Sequence, residues 1–293
     1  MTLDDWRRAG SAFEHRGYPV FYRDGGAGDA LVCVHGFPTA SWDWQRVWPA
    51  LVERFRVVAP DMMGFGFSSK PPDYAYSIHD QASLYEGLLH ALGITAGHIL
   101  AHDYGDTVTQ ELLARYEERR VHGEAGFVIR SVCFLNGGLF PEVHRARLVQ
   151  RLLMSPLGPV LGRLTNERSF GRSFRAIFGA QTQPSNAELH DFWTLMSAGG
   201  GRKIAHKIIR YMEERRRFRE RWVGALQRTH VPMRLIDGAD DPVSGRHMAE
   251  RYRELVPAPD VVLLEGIGHY PQVEDPEGVL RHFLDFVEHR SAA

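Results

Sequence analysis

Apolar and polar positions alternate along the chain in a way that predicts a sheet interleaved with helices. Apolar runs of strand length occur at residues 18–23, 31–35, 57–60, 98–102, 128–135, 231–237 and 261–265. Between them, residues 77–92 and 108–116 repeat apolar side chains at three- and four-residue intervals, the spacing of an amphipathic helix. Strands that alternate with helices form a mostly parallel central sheet with helices on both faces. The pattern therefore predicts an α/β fold.

The middle of the chain departs from this pattern. Residues 139–222 show helical spacing and no convincing strand, so we predict a helical cap inserted after the sixth strand of the fold. The chain then divides into a core segment 1–138, the cap, and a second core segment 223–293. A basic run at 215–221 is mixed with glutamates, which is typical of a solvated helix face.

Composition narrows the possible functions. A net charge of −1 gives no excess of basic residues, so the composition does not indicate nucleic-acid binding. The N-terminal residues lack the apolar segment of a signal peptide, and no stretch reaches the ~20 apolar residues of a membrane span. We therefore expect a cytoplasmic protein without a membrane partner. Cys33 and Cys133 lie in apolar runs, which favours buried thiols over a disulfide.

No metal or cofactor is expected. The histidines lack the paired spacing of metal ligands. The glycines of residues 61–68 lack the third glycine of a dinucleotide fingerprint, and they do not open the first strand–helix unit of the chain.

The strongest local signal is Ala101-His102-Asp103-Tyr104-Gly105, between an apolar strand and an amphipathic helix. Small residues two positions either side of the centre are typical of the sharp turn that presents a catalytic nucleophile. The central residue here is Asp103, a carboxylate, which can attack an sp³ carbon. The alternative is that Asp103 only caps the helix N-terminus.

Three further segments place polar groups directly after predicted strands. The loop at residues 35–38 suits backbone donors of an oxyanion hole, with the N–H groups of Phe37 and Tyr104 as candidates. Asp241, or less favourably Asp240, follows the strand at 231–237, and His269 follows the last strand. The order nucleophile, acid, histidine is that of the α/β-hydrolase fold. We therefore predict that Asp103, Asp241 and His269 form a catalytic triad.

These motifs carry a resemblance to a known family. HGFP, D-x-x-G-x-G-x-S, HDYG, G-x-x-D-P and GH-x-P together resemble the epoxide hydrolase and haloalkane dehalogenase branch of the α/β-hydrolases. The runs HGFPTASWDW, NGGLFPE and RFRERWVGAL also resemble the family of the mesoderm-specific transcript protein of animals. The resemblance implies attack by Asp103 on an electrophilic carbon, followed by hydrolysis of the alkyl-enzyme ester by water that His269 activates.

The leaving group decides between the two activities. Dehalogenases of this branch usually place Trp after the nucleophile and often Asn after His-Gly, where this chain has Tyr104 and Phe37. Epoxide hydrolases usually use two cap tyrosines as proton donors. This cap contains Tyr211 alone, and Val223 stands where the second is expected. Either Tyr211 acts alone, or His144, His206 or Trp193 shares the role, or the substrate is not a typical epoxide. The alternative for Tyr211 is that it only packs at a helix face. Trp193 and Phe140 are candidates for an apolar pocket under the cap.

We therefore expect hydrolysis of an epoxide to a vicinal diol, with a small apolar electrophile and water as the reactants. Dehalogenation and hydrolysis of an ester or lactone are the alternatives, followed by a non-enzymatic binding protein. The sequence is compatible with a monomer or a homodimer.

Overall fold

A computed structural model describes residues 1–291, and an eight-stranded sheet forms its centre. Residues 292 and 293 of the predicted second core segment lie outside the described residues. The strands are β1 (Ser11–His15), β2 (Tyr18–Gly25), β3 (Ala30–Val34), β4 (Arg56–Pro60), β5 (Ala96–His102), β6 (Val128–Leu135), β7 (Met233–Gly238) and β8 (Asp260–Leu264). They lie in the order β1-β2-β4-β3-β5-β6-β7-β8. Strand β1 was not predicted, because its residues are mostly exposed and show little apolar alternation.

The sheet is mostly parallel, as predicted. Strand β2 pairs antiparallel with β1 and with β4, and every other pair is parallel. Because the carboxyl ends of parallel strands meet at one edge, the loops after β3, β5, β6, β7 and β8 lie side by side. That edge carries the site described below.

The helices are α1 (Leu3–Arg8), α2 (Trp48–Val52), α3 (Ile78–Ala91), α4 (Tyr104–His122), α5 (Leu148–Met154), α6 (Gly158–Leu164), α7 (Glu167–Arg175), α8 (Asn186–Ser197), α9 (Gly201–Ile208), α10 (Tyr211–Arg217), α11 (Arg219–Arg228), α12 (Arg246–Leu255), α13 (Pro271–Glu274) and α14 (Pro276–Ser291). Short 3₁₀ helices occur at Ser41–Trp44 and Ala198–Gly200. Helix α3 begins after Ser77, whose side chain accepts a hydrogen bond from the Asp80 N–H. Helix α4 is longer than predicted and ends at Gly123, which has a φ of 68°.

The core lies on both faces of the sheet. Successive strand residues point to opposite faces, so Val32 and Val34 join one apolar cluster while Leu31 and Cys33 join the other. Cys33 and Cys133 are buried free thiols, as expected. Burial raises the pKa of both thiols, so they remain protonated.

The helical insertion follows the sixth strand, and helices α5 to α11 lie between β6 and β7. The predicted cap boundary at residue 222 falls inside α11, which packs on α4 of the core. Within the described chain, no helix combines the length and apolar character needed to cross a membrane.

Candidate active site

Asp103 lies in a sharp turn between β5, which ends at His102, and α4, which begins at Tyr104. Its backbone has a φ of 48° and a ψ of −104°, outside the regions that L-residues prefer. Gly105 makes the turn possible, because a Cβ atom there would lie 2.2 Å from the Val34 carbonyl oxygen. Asp103 occupies the N-cap position, but its side chain makes no capping hydrogen bond. Its carboxylate points elsewhere, which argues against a purely structural cap.

The carboxylate of Asp103 meets the loop after β3. The Phe37 N–H donates to Asp103 Oδ2 at 3.1 Å. His35 shapes this loop, since its Nδ1 contacts the Gly36 carbonyl oxygen at 2.9 Å and its Nε2 accepts from the Met62 N–H at 3.0 Å. Tyr104 supplies the first N–H of α4, a group that has no acceptor within its own helix. The Phe37 N–H therefore contacts the Asp103 carboxylate directly, and Tyr104 follows Asp103 at the start of the helix.

His269 and Asp241 form a close pair beneath the insertion. His269 Nδ1 lies 2.7 Å from Asp241 Oδ2. Asp241 Oδ2 also accepts from the Ser244 hydroxyl at 2.8 Å and from Asn136 Nδ2 at 3.2 Å, and Oδ1 accepts from the Val243 N–H at 2.7 Å. The alternative acid, Asp240, is exposed to solvent.

The charges of His269 and Asp241 each shift the pKa of the other residue. Burial disfavours the carboxylate of Asp241, but the His269 charge and the hydrogen bonds outweigh it and lower the pKa of Asp241 to about 2. Burial likewise disfavours the His269 imidazolium, but Asp241 and then Asp103 raise the pKa of His269 to about 9. His269 Nε2 lies 4.0 Å from Asp103 Oδ1. The free protein therefore holds an imidazolium between two carboxylates at neutral pH.

Arg215 belongs to the site, although the basic run at 215–221 was predicted to be a solvated face. That prediction is wrong for Arg215, which is 2% exposed. Its Nη2 donates to the backbone carbonyl of Asp103 at 2.9 Å and lies 3.7 Å from Asp103 Oδ1. Its Nε donates to Thr107 Oγ1 at 2.6 Å, and its Nη1 has no hydrogen-bond partner within the described part of the chain. The four-residue spacing from Tyr211 places both side chains on one helix face, a signal available in the sequence.

Tyr211 lies over the same turn. Its ring centroid is 4.7 Å from that of Tyr104, and the Arg215 guanidinium lies 4.5 Å from its centre. Its hydroxyl is buried and interacts with the Arg215 guanidinium, but it makes no close hydrogen bond with any described residue. Burial and the Asp103 charge raise the pKa of Tyr211 above its usual range while Arg215 opposes them, so the phenol stays protonated.

His144 is a second buried group whose polar atoms make no close hydrogen bond within the described chain. Burial, with Arg215 nearby, lowers the pKa of His144 to about 3, so this ring is neutral. His206, the other histidine considered, is not among the residues that line the cavity.

A cavity of about 570 Å³ lies between the insertion and the sheet edge. Asp103, His269 and Phe37 form its inner end, and its remaining wall is mainly apolar. Phe140, Trp193 and Tyr211 are not among the lining residues. Phe140 packs against Tyr252 in the core, with ring centroids 6.4 Å apart. Trp193 lies one layer behind the wall, 5.8 Å from the ring of the lining residue Phe170.

The sequence predicted an apolar cavity wall of aromatic residues, but most of the apolar lining is aliphatic. It is built largely by aliphatic side chains of α5, α6 and α9 together with two phenylalanines of α7. Among residues 1–291, no three His, Cys, Asp or Glu side chains are grouped so as to hold a metal ion.

Comparisons with known proteins agree with this fold. The model of the alpha/beta hydrolase family matches residues 31–282. The mesoderm-specific transcript protein of Mus musculus is 42% identical over 297 residues, covering 98% of this chain and 88% of that protein. The protein named "Putative hydrolase LipZ" of Mycobacterium tuberculosis is 38% identical over 277 residues, covering 94% of each.

A solved structure supports the architecture. The epoxide hydrolase CorEH shares the fold with a TM-score of 0.75 at 20% identity, over 94% of this chain and 97% of that one. The predicted fold class and the predicted resemblance are both confirmed. This chain therefore belongs to the alpha/beta hydrolase family and is a hydrolase.

Proposed function

We propose that the protein hydrolyses an apolar epoxide through a covalent ester on Asp103. The observation that carries the proposal is the environment of this carboxylate. Asp103 Oδ2 accepts the Phe37 N–H, which leaves Oδ1 as the attacking atom, 3.7 Å from Arg215 Nη2 and 4.0 Å from His269 Nε2. A carboxylate at this position forms an alkyl ester when it displaces oxygen from a carbon atom.

In the first step, Oδ1 attacks a ring carbon and the carbon–oxygen bond of the epoxide breaks. The departing oxygen needs a proton, and the Tyr211 hydroxyl is protonated and buried, and it makes no close hydrogen bond with the described residues. Tyr211 therefore acts as the general acid and recovers its proton from solvent after product release. Because Tyr211 is not on the cavity wall of the free protein, a substrate has to displace part of that wall to reach it.

In the second step, His269 removes a proton from water, and the water attacks the ester carbon of Asp103. Oδ2 carries the negative charge of the tetrahedral intermediate, and the backbone N–H groups of Phe37 and Tyr104 stabilise it. The ester carbon–oxygen bond then breaks, and the product alkoxide takes the proton from His269. The remaining proton of the water molecule, left on the Asp103 carboxyl, passes to solvent and restores the carboxylate. Ester formation removes the Asp103 charge, one of the causes of the raised pKa of His269, so the imidazolium releases its proton to solvent and the neutral imidazole acts as the base.

We infer an apolar substrate because the wall of the cavity is mainly apolar. Most of its side chains are aliphatic or aromatic, including Leu153, Leu161, Phe170, Phe174 and Ile177. Such a wall removes apolar substrate surface from water. Of the predicted pocket aromatics, we retain only Trp193, as a support behind this wall, because Phe140 packs in the core.

Dehalogenation is the second candidate, and Arg215 is the observation that favours it. Its Nη1 has no hydrogen-bond partner among the residues described, and its Nη2 lies close to Asp103 Oδ1. A buried guanidinium N–H can hold a departing halide, which needs a donor and no proton transfer. The epoxide is preferred because Tyr211 also supplies a protonated hydroxyl beside the nucleophile.

The experiment is the intact mass of His269→Gln after incubation with an aryl epoxide and, separately, with a bromoalkane. Without its base, the variant should accumulate the ester. A mass gain equal to the whole epoxide establishes epoxide opening, and a gain of the alkyl group alone establishes dehalogenation. Asp103→Asn/His269→Gln should gain nothing. His122→Gln, at an exposed histidine, should turn over without an adduct. No adduct from either reagent would refute the covalent mechanism.

A further inference from the structure

An exposed apolar surface covers helices α5 and α6. Its members are Leu148, Val149, Leu152, Leu157, Val160 and Leu164, which we call the cap apolar patch. Leu148 is 71% exposed and Leu164 is 69% exposed. The other exposed large apolar residues of the described chain, Met1, Tyr18, Val121 and Val128, are scattered in sequence. Helix α5 buries none of its residues although its sequence is mostly apolar. A continuous apolar surface of this kind marks an interaction site.

The patch is surrounded by positive charge. Residues 143–166 contain Arg145, Arg147, Arg151 and Arg163, and no aspartate or glutamate. Among the described residues, none of these four arginines has an ion-pair partner, whereas Arg210, Arg215, Arg219 and Arg221 of the insertion each do. The Arg147 guanidinium donates to the Ala176 carbonyl, a neutral group. The charge of this surface therefore remains available to an external anionic partner.

The patch is continuous with the cavity. Leu148, Val149, Leu152 and Leu164 are exposed and also line the cavity whose inner end holds Asp103. The same apolar side chains thus belong to the outer surface and to the cavity that holds the nucleophile.

We propose that the cap apolar patch docks on an anionic lipid surface, with α5 and α6 in the interface and the cavity entrance turned toward the lipid. Apolar side chains of an interfacial helix enter the boundary between headgroups and acyl chains, and adjacent arginines bind anionic headgroups. A symmetric contact with a second copy fits less well, because it would bring the same four arginines toward one another. The expected absence of a membrane partner rested on the lack of a spanning segment, which docking does not need.

Vesicle sedimentation tests the proposal. The full chain is mixed with vesicles of phosphatidylcholine alone and of phosphatidylcholine with phosphatidylglycerol, at low and high salt. Wild type should bind the anionic vesicles and release at high salt. Arg151→Gln/Arg163→Gln should weaken binding by about 25-fold, since each arginine near such a surface contributes about fivefold.

Leu157→Ser/Val160→Ser should weaken binding by about tenfold or more and leaves the cavity wall intact, because neither residue lines it. Val121→Ser, at a 75% exposed valine on α4, is the matched control and should bind as wild type. Circular dichroism establishes that each variant is folded.

Docking does not depend on the reaction, so Asp103→Asn should also bind as wild type. The docking proposal can therefore fail or succeed separately from the proposed function. Equal binding by wild type and both patch variants would overturn it. A lack of binding of wild type to anionic vesicles would also overturn it. If wild type then sediments as a dimer that the patch variants dissociate, the patch binds a second copy of the chain.

Discussion

Arg215 Nη2 donates to the backbone carbonyl of Asp103 at 2.9 Å, so an arginine of the helical insertion fixes the turn that carries the nucleophile. The same guanidinium stacks on Tyr211 and donates to Thr107 on α4. Insertion and core are thereby joined at the residue that we propose to react. A guanidinium suits this task because its planar donors are fixed relative to one another and it remains charged.

Arg215→Met should slow ester formation by about ten- to hundredfold, the value of one or two charge-assisted hydrogen bonds. The variant loses the bond to the Asp103 carbonyl and leaves Thr107 without its donor. The rate of mass gain in a His269→Gln background measures this step alone. Arg216→Met is the matched control at an exposed arginine, and a comparable loss there would remove the specific role of Arg215.

The pKa of His269 should fall when either carboxylate partner is neutralised. Asp241 contributes more to the raised pKa than Asp103 does, so Asp241→Asn should lower it further than Asp103→Asn. Imidazole NMR titration of the two variants against wild type, whose value is about 9, gives the order directly.

The pH dependence of ester hydrolysis follows from the same interaction between His269 and Asp103. Only neutral His269 can act as base, so hydrolysis of the ester should accelerate as pH rises and level off above the pKa of the alkylated protein. That pKa lies below the value of about 9 of the free protein, because the Asp103 charge is gone. A hydrolysis rate that does not change with pH would contradict a role for His269 as base.

Tyr211→Phe should slow opening of an epoxide by about a hundredfold or more, the usual contribution of a positioned general acid. It should leave alkylation by a bromoalkane unchanged, because a halide departs without a proton. Single-turnover rates with both reagents make the comparison. Tyr252→Phe removes another buried hydroxyl that makes no close hydrogen bond with a described residue, but one in the core, and should change neither rate.

Asn136→Ala should cost about 2 to 4 kcal/mol of unfolding free energy and slow the hydrolysis step. Asn136 donates to the Gly238 carbonyl and to Asp241 Oδ2, and its own Oδ1 accepts the Gly238 N–H at 2.7 Å. Removing the amide leaves that buried N–H without a partner. Denaturant unfolding gives the stability change. Asn186→Ala, where the side chain is bonded near the surface, should cost well under half as much.

The sequence predicted the features that leave a local pattern, such as apolar periodicity and motif order. It did not predict contacts between residues far apart in the chain. Apolar periodicity located β6 at its observed bounds, and the order Asp103, Asp241, His269 predicted side chains that the fold brings together. Arg215 was misread because a basic run usually faces solvent, and its burial depends on the Asp103 turn 112 positions earlier. Aromatic content also misplaced the cavity wall, because large rings such as Phe140 bury most favourably in the core.

Gly105→Ala should destabilise the protein by about 1 to 3 kcal/mol, the usual cost of an added methyl group without space. The new Cβ atom would lie 2.2 Å from the Val34 carbonyl oxygen, so either β3 or the start of α4 has to move. Either movement separates Asp103 from the Phe37 N–H, and ester formation should slow with the loss of stability. Gly87→Ala is the matched control in α3, where the nearest atom, on Phe13, is 3.4 Å away. There the methyl group has room and alanine favours the helix, so stability should rise by up to about 1 kcal/mol. Denaturant midpoints that fall equally in both variants would show that helix geometry, and not the close approach to Val34, requires a glycine at position 105.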